Sequence, residues 1–187
     1  MTLVVNSTDL LIAPPGLPDP RFRNTVLMLT HDHASGSFAL CVNKPTRWCL
    51  DDVMTAAEMD LEHVPRVPIY WGGPVSPQSL WMMHSAEWST AKTVKLDAQW
   101  AMTSDNEMFQ HLADGDFPQQ FRIVMGYCSW TPGQLQLELE GRPPYHKQHS
   151  WLVAHNLGAE WLFEQAPEDI WANATTVSGH QAVDTWL

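Results

Sequence analysis

Two apolar runs, Thr25-Val-Leu-Met-Leu29 and Phe38-Ala-Leu-Cys-Val42, are separated only by the polar stretch from His31 to Gly36. Both runs read as apolar strands, central in their sheet. The polar stretch between them reads as a hairpin loop. A chain with such a pair must build an antiparallel, centrally placed ladder, and this argues against a doubly wound parallel sheet.

The rest of the chain supplies short elements punctuated by fourteen scattered prolines, with no repeat, linker or low-complexity tract. From Leu50 to His63 the apolar residues Leu50, Val53, Met54, Ala57 and Leu61 recur at helical spacing. Val67, Ile69 and Trp71 alternate as a strand that stops at Gly72-Gly73-Pro74, and Leu80 to His84 and Lys92 to Leu96 add further strands. Ser104 to Glu107 has the spacing of a capping box, so a helix is expected to about Ala113, ended by Gly115. Phe121 to Met125 reads as a strand. Thr131, Pro132 and Gln134 then mark a helix start, with the helix ending at Gly141; the alternation of Leu135, Leu137 and Leu139 also fits a strand. Trp151 to Val153 is expected to be a last strand and Pro167 to Ala174 a helix, with residues 178–187 a loose tail. The pattern is that of one α+β domain, residues 1–187, with a mixed sheet.

Charge narrows the partners. Ten Lys and Arg against 21 Asp and Glu leave −11, and the basic residues are scattered, so direct nucleic-acid binding is disfavoured. Three widely spaced cysteines, Cys41, Cys49 and Cys128, offer neither a disulfide framework nor a CxxC pair, which fits a reducing cytoplasm. Residues 1–8 lack the features of a signal peptide, and no apolar run approaches the roughly 20 residues of a membrane helix. A soluble cytoplasmic protein without membrane contact is expected.

Four linked stretches carry a family resemblance: Leu11 to Pro20 (LIAPPGLPDP), Gly36 to Pro45 ending in CVNKP, Gly72-Gly-Pro-Val75, and Gly126 to Leu135 (GYCSWTPGQL). In order and spacing they resemble the YqgE/AlgH family, with Met102-Thr-Ser104 and Ser150-Trp-Leu152 fitting the same pattern. The resemblance covers the chain from Leu10 to about Ala174. It implies a small α+β domain whose mixed, split β-sheet folds into a pseudo-barrel flanked by helices, and it implies no activity. Some members carry the label of transcriptional regulator, which comes with no DNA-binding motif. Asp32 stands where the family often has His, Cys41 and Cys128 replace smaller or aliphatic residues, and the segment from Arg142 to His149 is longer than usual.

Candidate site residues follow from chemistry and each has a plainer alternative. Gly72, Gly73 and Pro74 can expose backbone amides to a ligand, or simply turn the chain. The helix start Thr131, Gly133 and Gln134 can present N–H groups to an anion, with Trp130 as a stacking wall and Asn43-Lys44 as a counter-charge; the alternative is ordinary capping. His84 can carry a proton in a cleft with Thr103 or Ser104, or be a buried histidine tied to a carbonyl. His31-x-His33 and His146 with His149 have metal-compatible spacings without a firm third ligand. Cys128 has no identifiable His partner, and Ser129 misses the Gly-x-Ser-x-Gly elbow. The expectation is therefore a non-catalytic regulatory or binding module for an unknown small ligand or protein partner, with no cofactor, no metal and no catalytic residue. An enzyme using His84 with Thr103 or Ser104 is the alternative, and a transcriptional regulator the third reading. Nothing in the sequence sets the oligomeric state.

Overall fold

A computed structural model describes residues 4–33, 35–147 and 150–184. Among the described residues, ten strands and five α-helices run in the order β1 (Leu10–Ile12), β2 (Val26–His33), β3 (Gly36–Cys41), β4 (Pro45–Cys49), α1 (Leu50–Ala56), β5 (Pro68–Trp71), β6 (Val75–Ser85), β7 (Val94–Lys95), β8 (Trp100–Thr103), α2 (Glu107–Ala113), β9 (Phe121–Trp130), α3 (Gln134–Glu140), β10 (Leu152–Ala154), α4 (Ala159–Phe163) and α5 (Pro167–Asp184). A 3-10 turn, Pro20–Phe22, precedes β2. The strands form one curled, half-barrel-like sheet in the order β10-β1-β2-β3-β9-β6-β8-β7, antiparallel at every step. β4 pairs with β5, and β5 pairs with β9 in parallel, which makes the sheet mixed. The fold is α+β with helices flanking the sheet, as the resemblance implied.

Burial explains why the strands are apolar at successive positions. In β1 and β2, Leu10, Ile12, Val26 and Met28 point into a core closed by Ile170 and Ala174 of α5 and Leu162 of α4. Their neighbours Leu11, Leu27 and Leu29 point to the other face, against Leu135 and Leu139 of α3. A third cluster under α1 and α2 gathers Leu50, Met54, Met108, Leu112, Ile69 and Ile123. Because side chains alternate across a strand, each residue serves one of two covered faces.

β9 organises the sheet. Residues Ile123 to Met125 pair with β5 and also with β6, so these two strands must lie on opposite edges of β9. The chain therefore crosses over β9 between Trp71 and Val75, and it does so at glycines. A Cβ on Gly73 would sit 2.5 Å from the amide nitrogen of Cys128, and one on Gly126, whose φ is +73°, would press into the carbonyl oxygen of Gly73. The Gly72-Gly73 pair is thus a backbone crossing, fixed by Gly72 N–H donating to Met125 O at 2.7 Å and Gly72 O accepting from Cys41 N–H at 2.8 Å.

Several expected boundaries shift. The loop expected from His31 to Gly36 is mostly strand, since β2 continues to His33 and β3 begins at Gly36, with a bulge between Leu29 and His31. The helix expected to His63 stops at Ala56, where Glu58 takes a left-handed φ of +56° and Met59 N–H caps Met54 O at 3.0 Å. α2 is capped by Asp105, which accepts from Met108 N–H at 3.0 Å, rather than by a Ser104–Glu107 box. The stretch Lys92 to Leu96 contracts to the two-residue β7. Residues 134–140 are helix, so the strand alternative falls. The tail expected from 178 is helix to Asp184, because Gln181 bridges the backbone N–H and C=O of His155 and Ser178 is buried. β1, β4 and α4 were not anticipated.

Candidate functional site

A mostly apolar cavity of about 470 Å³ opens beside the glycine crossing. Its walls come from four places: Leu17, Pro18, Asp19 and Phe22 before β2; Pro74 and Val75 after the crossing; Cys128 to Trp130 at the end of β9; and Gln134 and Glu138 of α3 with Pro144, Tyr145, His146 and Trp151. Each is held by local chemistry. Asp19 caps the 3-10 turn through Arg21 N–H at 3.0 Å and pairs with the Arg21 side chain, whose hydrogen bond holds the carboxyl below its ordinary range. α3 buries Leu135 and Leu139 against the sheet, which turns Gln134 and Glu138, one helical turn apart, towards the cavity.

Glu138 is the polar centre. Its Oε2 accepts the indole N–H of both Trp130 and Trp151 at 2.9 Å, and its Oε1 accepts from Gln134 Nε2 at 3.0 Å. Gln134 Oε1 in turn accepts from the Thr131 N–H and hydroxyl, each at 3.1 Å. The rings form a connected wall: Trp130 and Trp151 stand at 83°, Trp151 and Phe22 at 86°, and Phe22 meets Trp71 at 61°, all edge to face. The tryptophans are therefore locked by hydrogen bonds at one edge and by ring packing at the other.

Of the residues expected at one cleft, Pro74, Trp130 and Gln134 line this cavity. Gly72 and Gly73 lie in the crossing behind it, where the Cys128 thiol lies 3.5 Å from Gly72 O as its donor. Thr131 supports Gln134 from the exposed turn, and Gly133, with φ +77° and no atom near its missing Cβ, shapes that turn. Asn43 is elsewhere: buried, it accepts from Val26 N–H at 2.8 Å and donates to Asn24 O at 2.9 Å, stapling the start of β2 to the end of β3. Lys44 is half-buried and does not line the cavity; its carbonyl accepts from Trp71 N–H. The counter-charge expected for an anion is therefore not at the cavity, whose fixed charges include the carboxylates of Asp19 and Glu138.

His84 and Thr103 form a separate, sealed pair, 0% and 1% exposed. Nδ1 of His84 lies 2.9 Å from Ser85 O, which only accepts, so the proton is on Nδ1. Nε2 then accepts from Thr103 Oγ1 at 2.9 Å, and Thr93 joins Thr103 at 2.7 Å. Burial lowers the His84 pKa and keeps the ring neutral. Ser104 is exposed and lines a different hollow with Trp81 and Phe109. His84, Thr103 and Ser104 thus share no cleft.

The thiols of Cys41 and Cys128 are inert by burial, which pushes Cys41 up to about 12 and Cys128 well above its ordinary value. Of the spacings considered for metal, the side chains of His31 and His33 and the whole of His149 lie outside the described residues. Among those described, Cys49, Asp51 and Asp52 can bring three ligand atoms within 4.8 Å, but Asp52 caps Cys49 N–H and Asp51 pairs with Arg66. Sequence reasoning missed Glu138, Trp151, Phe22 and Tyr145. The four-residue spacing of Gln134 and Glu138 beside Trp130 was a usable signal for the first, whereas Trp151 lies 13 residues beyond Glu138, outside the helix and its periodicity.

The sequence profile of the AlgH-like family matches residues 10–182. A UPF0301 protein of Methylococcus capsulatus is 30% identical over 90% of this chain and 87% of its own, and one of Sphingopyxis alaskensis is 30% identical over 93% and 89%. The solution structure of the AlgH protein from Pseudomonas aeruginosa superposes with a TM-score of 0.74 at 27% identity, covering 96% of this chain and 93% of that one. A crystal structure from Corynebacterium diphtheriae shares the fold, with a TM-score of 0.69 at 19% identity over 92% of this chain and 87% of that one.

Proposed function

The chain belongs to the AlgH-like family, and from that premise we propose that it is a non-catalytic cytoplasmic binding module whose ligand enters the cavity between Phe22, Trp130, Trp151 and α3. The observation that carries this reading is the cavity itself: about 470 Å³, within the range of small-molecule sites, with mostly apolar walls and a few fixed polar groups. Its reactive side chains do not assemble a nucleophile with a base. Cys128 is a protonated, buried thiol, Ser129 is hydrogen-bonded to no base among the described residues although His146 shares the lining, and His84 is buried outside it.

Supporting the cytoplasmic part, the three cysteines are free, and no helix among the described residues is long and apolar enough to cross a membrane. The formal charge of −11 weighs against direct DNA contact and so against a transcription-factor role. A crystallographic screen of small, chemically mixed fragments tests the proposal. Fragments are expected to concentrate between Trp130 and Trp151. Hits scattered over the surface, with that cavity empty, overturn it.

A further inference from the structure

Resting on the reading of this cavity as a ligand site, we infer that its ligand class is the organic cation, an alkylated ammonium head held by the aromatic walls with Glu138 as its counter-charge. Three observations combine. Trp130, Trp151 and Phe22 stand in sequence at near right angles, 83° and 86°, so they form adjoining walls of a box rather than a flat stack. Ring faces carry negative potential, and a box of them is the arrangement that attracts a bulky, weakly hydrated cation.

The carboxylate at the centre of these walls is the second. Glu138 receives its hydrogen bonds from Trp130, Trp151 and Gln134, which are all neutral donors. Neutral donors fix a carboxylate in place without cancelling its charge, so the cavity keeps a localised negative charge. The other carboxylate in the lining, Asp19, is different: it is paired with Arg21 at the rim, and that pair is close to neutral. Glu138 is therefore the group left to answer a positive ligand.

Third, the hydrogen-bonding capacity of Trp130, Trp151 and Gln134 is already consumed. Both indole N–H groups point to Glu138, and Gln134 is tied to Thr131 and Glu138. A ligand that demands directed hydrogen bonds finds few offered by these three residues, whereas a quaternary ammonium needs none. The overall charge of −11 draws cations towards the surface in the same sense.

The test uses the full chain and an isosteric pair: choline, and its neutral carbon counterpart 3,3-dimethylbutan-1-ol, each titrated calorimetrically into wild type and the Glu138→Gln variant. Gln keeps an oxygen for the two indoles but removes the charge. Wild type is expected to prefer choline by roughly tenfold or more, and Glu138→Gln to lose that preference while keeping the folded circular-dichroism spectrum at the titration temperature. Equal or tighter binding of the neutral alcohol overturns the cation inference but leaves the ligand cavity standing. Binding of neither probe, with fragments still found in the cavity, also overturns only the cation inference. Binding of neither, with the cavity empty in the fragment screen, overturns both.

Discussion

Replacing Gly126 with Ala should separate the cost of the strand crossing from the cost of an unusual backbone angle. Gly126 has φ +73°, and its added Cβ would press on Gly73 O and lie 3.1 Å from Val75 O and 3.3 Å from Pro77 Cα, all of them backbone atoms that cannot rotate away. The left-handed conformation costs an alanine about 1–2 kcal/mol, and forcing a methyl into packed surroundings adds about 1–3 kcal/mol. The sum, about 2–5 kcal/mol, corresponds to a fall in Tm of about 4–20 °C for a chain of this length. Gly133→Ala provides the internal control, because Gly133 has nearly the same φ, +77°, with nothing within 4 Å of the new methyl. It should lose only the conformational part, about 1–2 kcal/mol. Thermal unfolding followed by circular dichroism measures both. Equal losses for the two variants would refute the idea that Gly126 is needed for the close passage of two backbones.

Other expectations follow from single groups. Arg122 is buried with no acidic partner among the described residues, donating to the carbonyls of Val42 and Leu162 and lying over the rings of Tyr70 and Phe163. Arg122→Ala should cost about 2–5 kcal/mol in urea unfolding, since two buried carbonyls lose their donor; a loss under about 1 kcal/mol would show that water replaces it freely. The lowered pKa of His84 makes stability pH-dependent in a defined direction. Below the ordinary histidine value of about 6.5 the unfolded chain takes up the proton first, so stability falls with pH from there down to the folded value, by at most about 1.4 kcal/mol per pH unit for one proton. His84→Gln should flatten that part of a Tm-against-pH curve, and an unchanged slope would assign it to other groups. At low ionic strength the protein should show no salt-dependent mobility shift of duplex DNA, and a shift abolished by salt would reverse the reading of its charge.

What the sequence made legible was the chemistry that acts locally. Gly115 and Gly141 end α2 and α3 as expected, because glycine is the residue that takes the left-handed position after a helix. The same motif ends α1 at Glu58, a residue without that signature, and the apolar spacing continued misleadingly to Leu61. The two apolar runs announced strands central to a sheet, and β2 and β3 lie inside it, covered on both faces. The end of α5 was illegible because its last turns are polar, and what orders them is Gln181 reaching the backbone of His155 across 26 residues. At the cavity, Pro74, Trp130 and Gln134 were foreseen from glycine, proline and capping patterns. Asn43 and Lys44 were grouped with them because they lie in a neighbouring motif, yet a motif can serve a staple as well as a site, and Asn43 is the staple. Glu138 was hidden inside an ordinary amphipathic helix, and its role exists only once Trp151 has been brought alongside.

The account stands on the cavity walled by Trp130 and Trp151 being the place where this protein meets its ligand. Two-dimensional NMR of the indole N–H groups tests that directly, because each tryptophan gives its own signal and these two share one carboxylate oxygen. On titration with ligands or fragments that bind, the Trp130 and Trp151 signals should move together and saturate at one affinity. Those of Trp88 and Trp171, bonded to Asp116 and to Ala13 O away from the cavity, should stay in place. Binding that shifts the distant indoles and leaves Trp130 and Trp151 still would contradict the account.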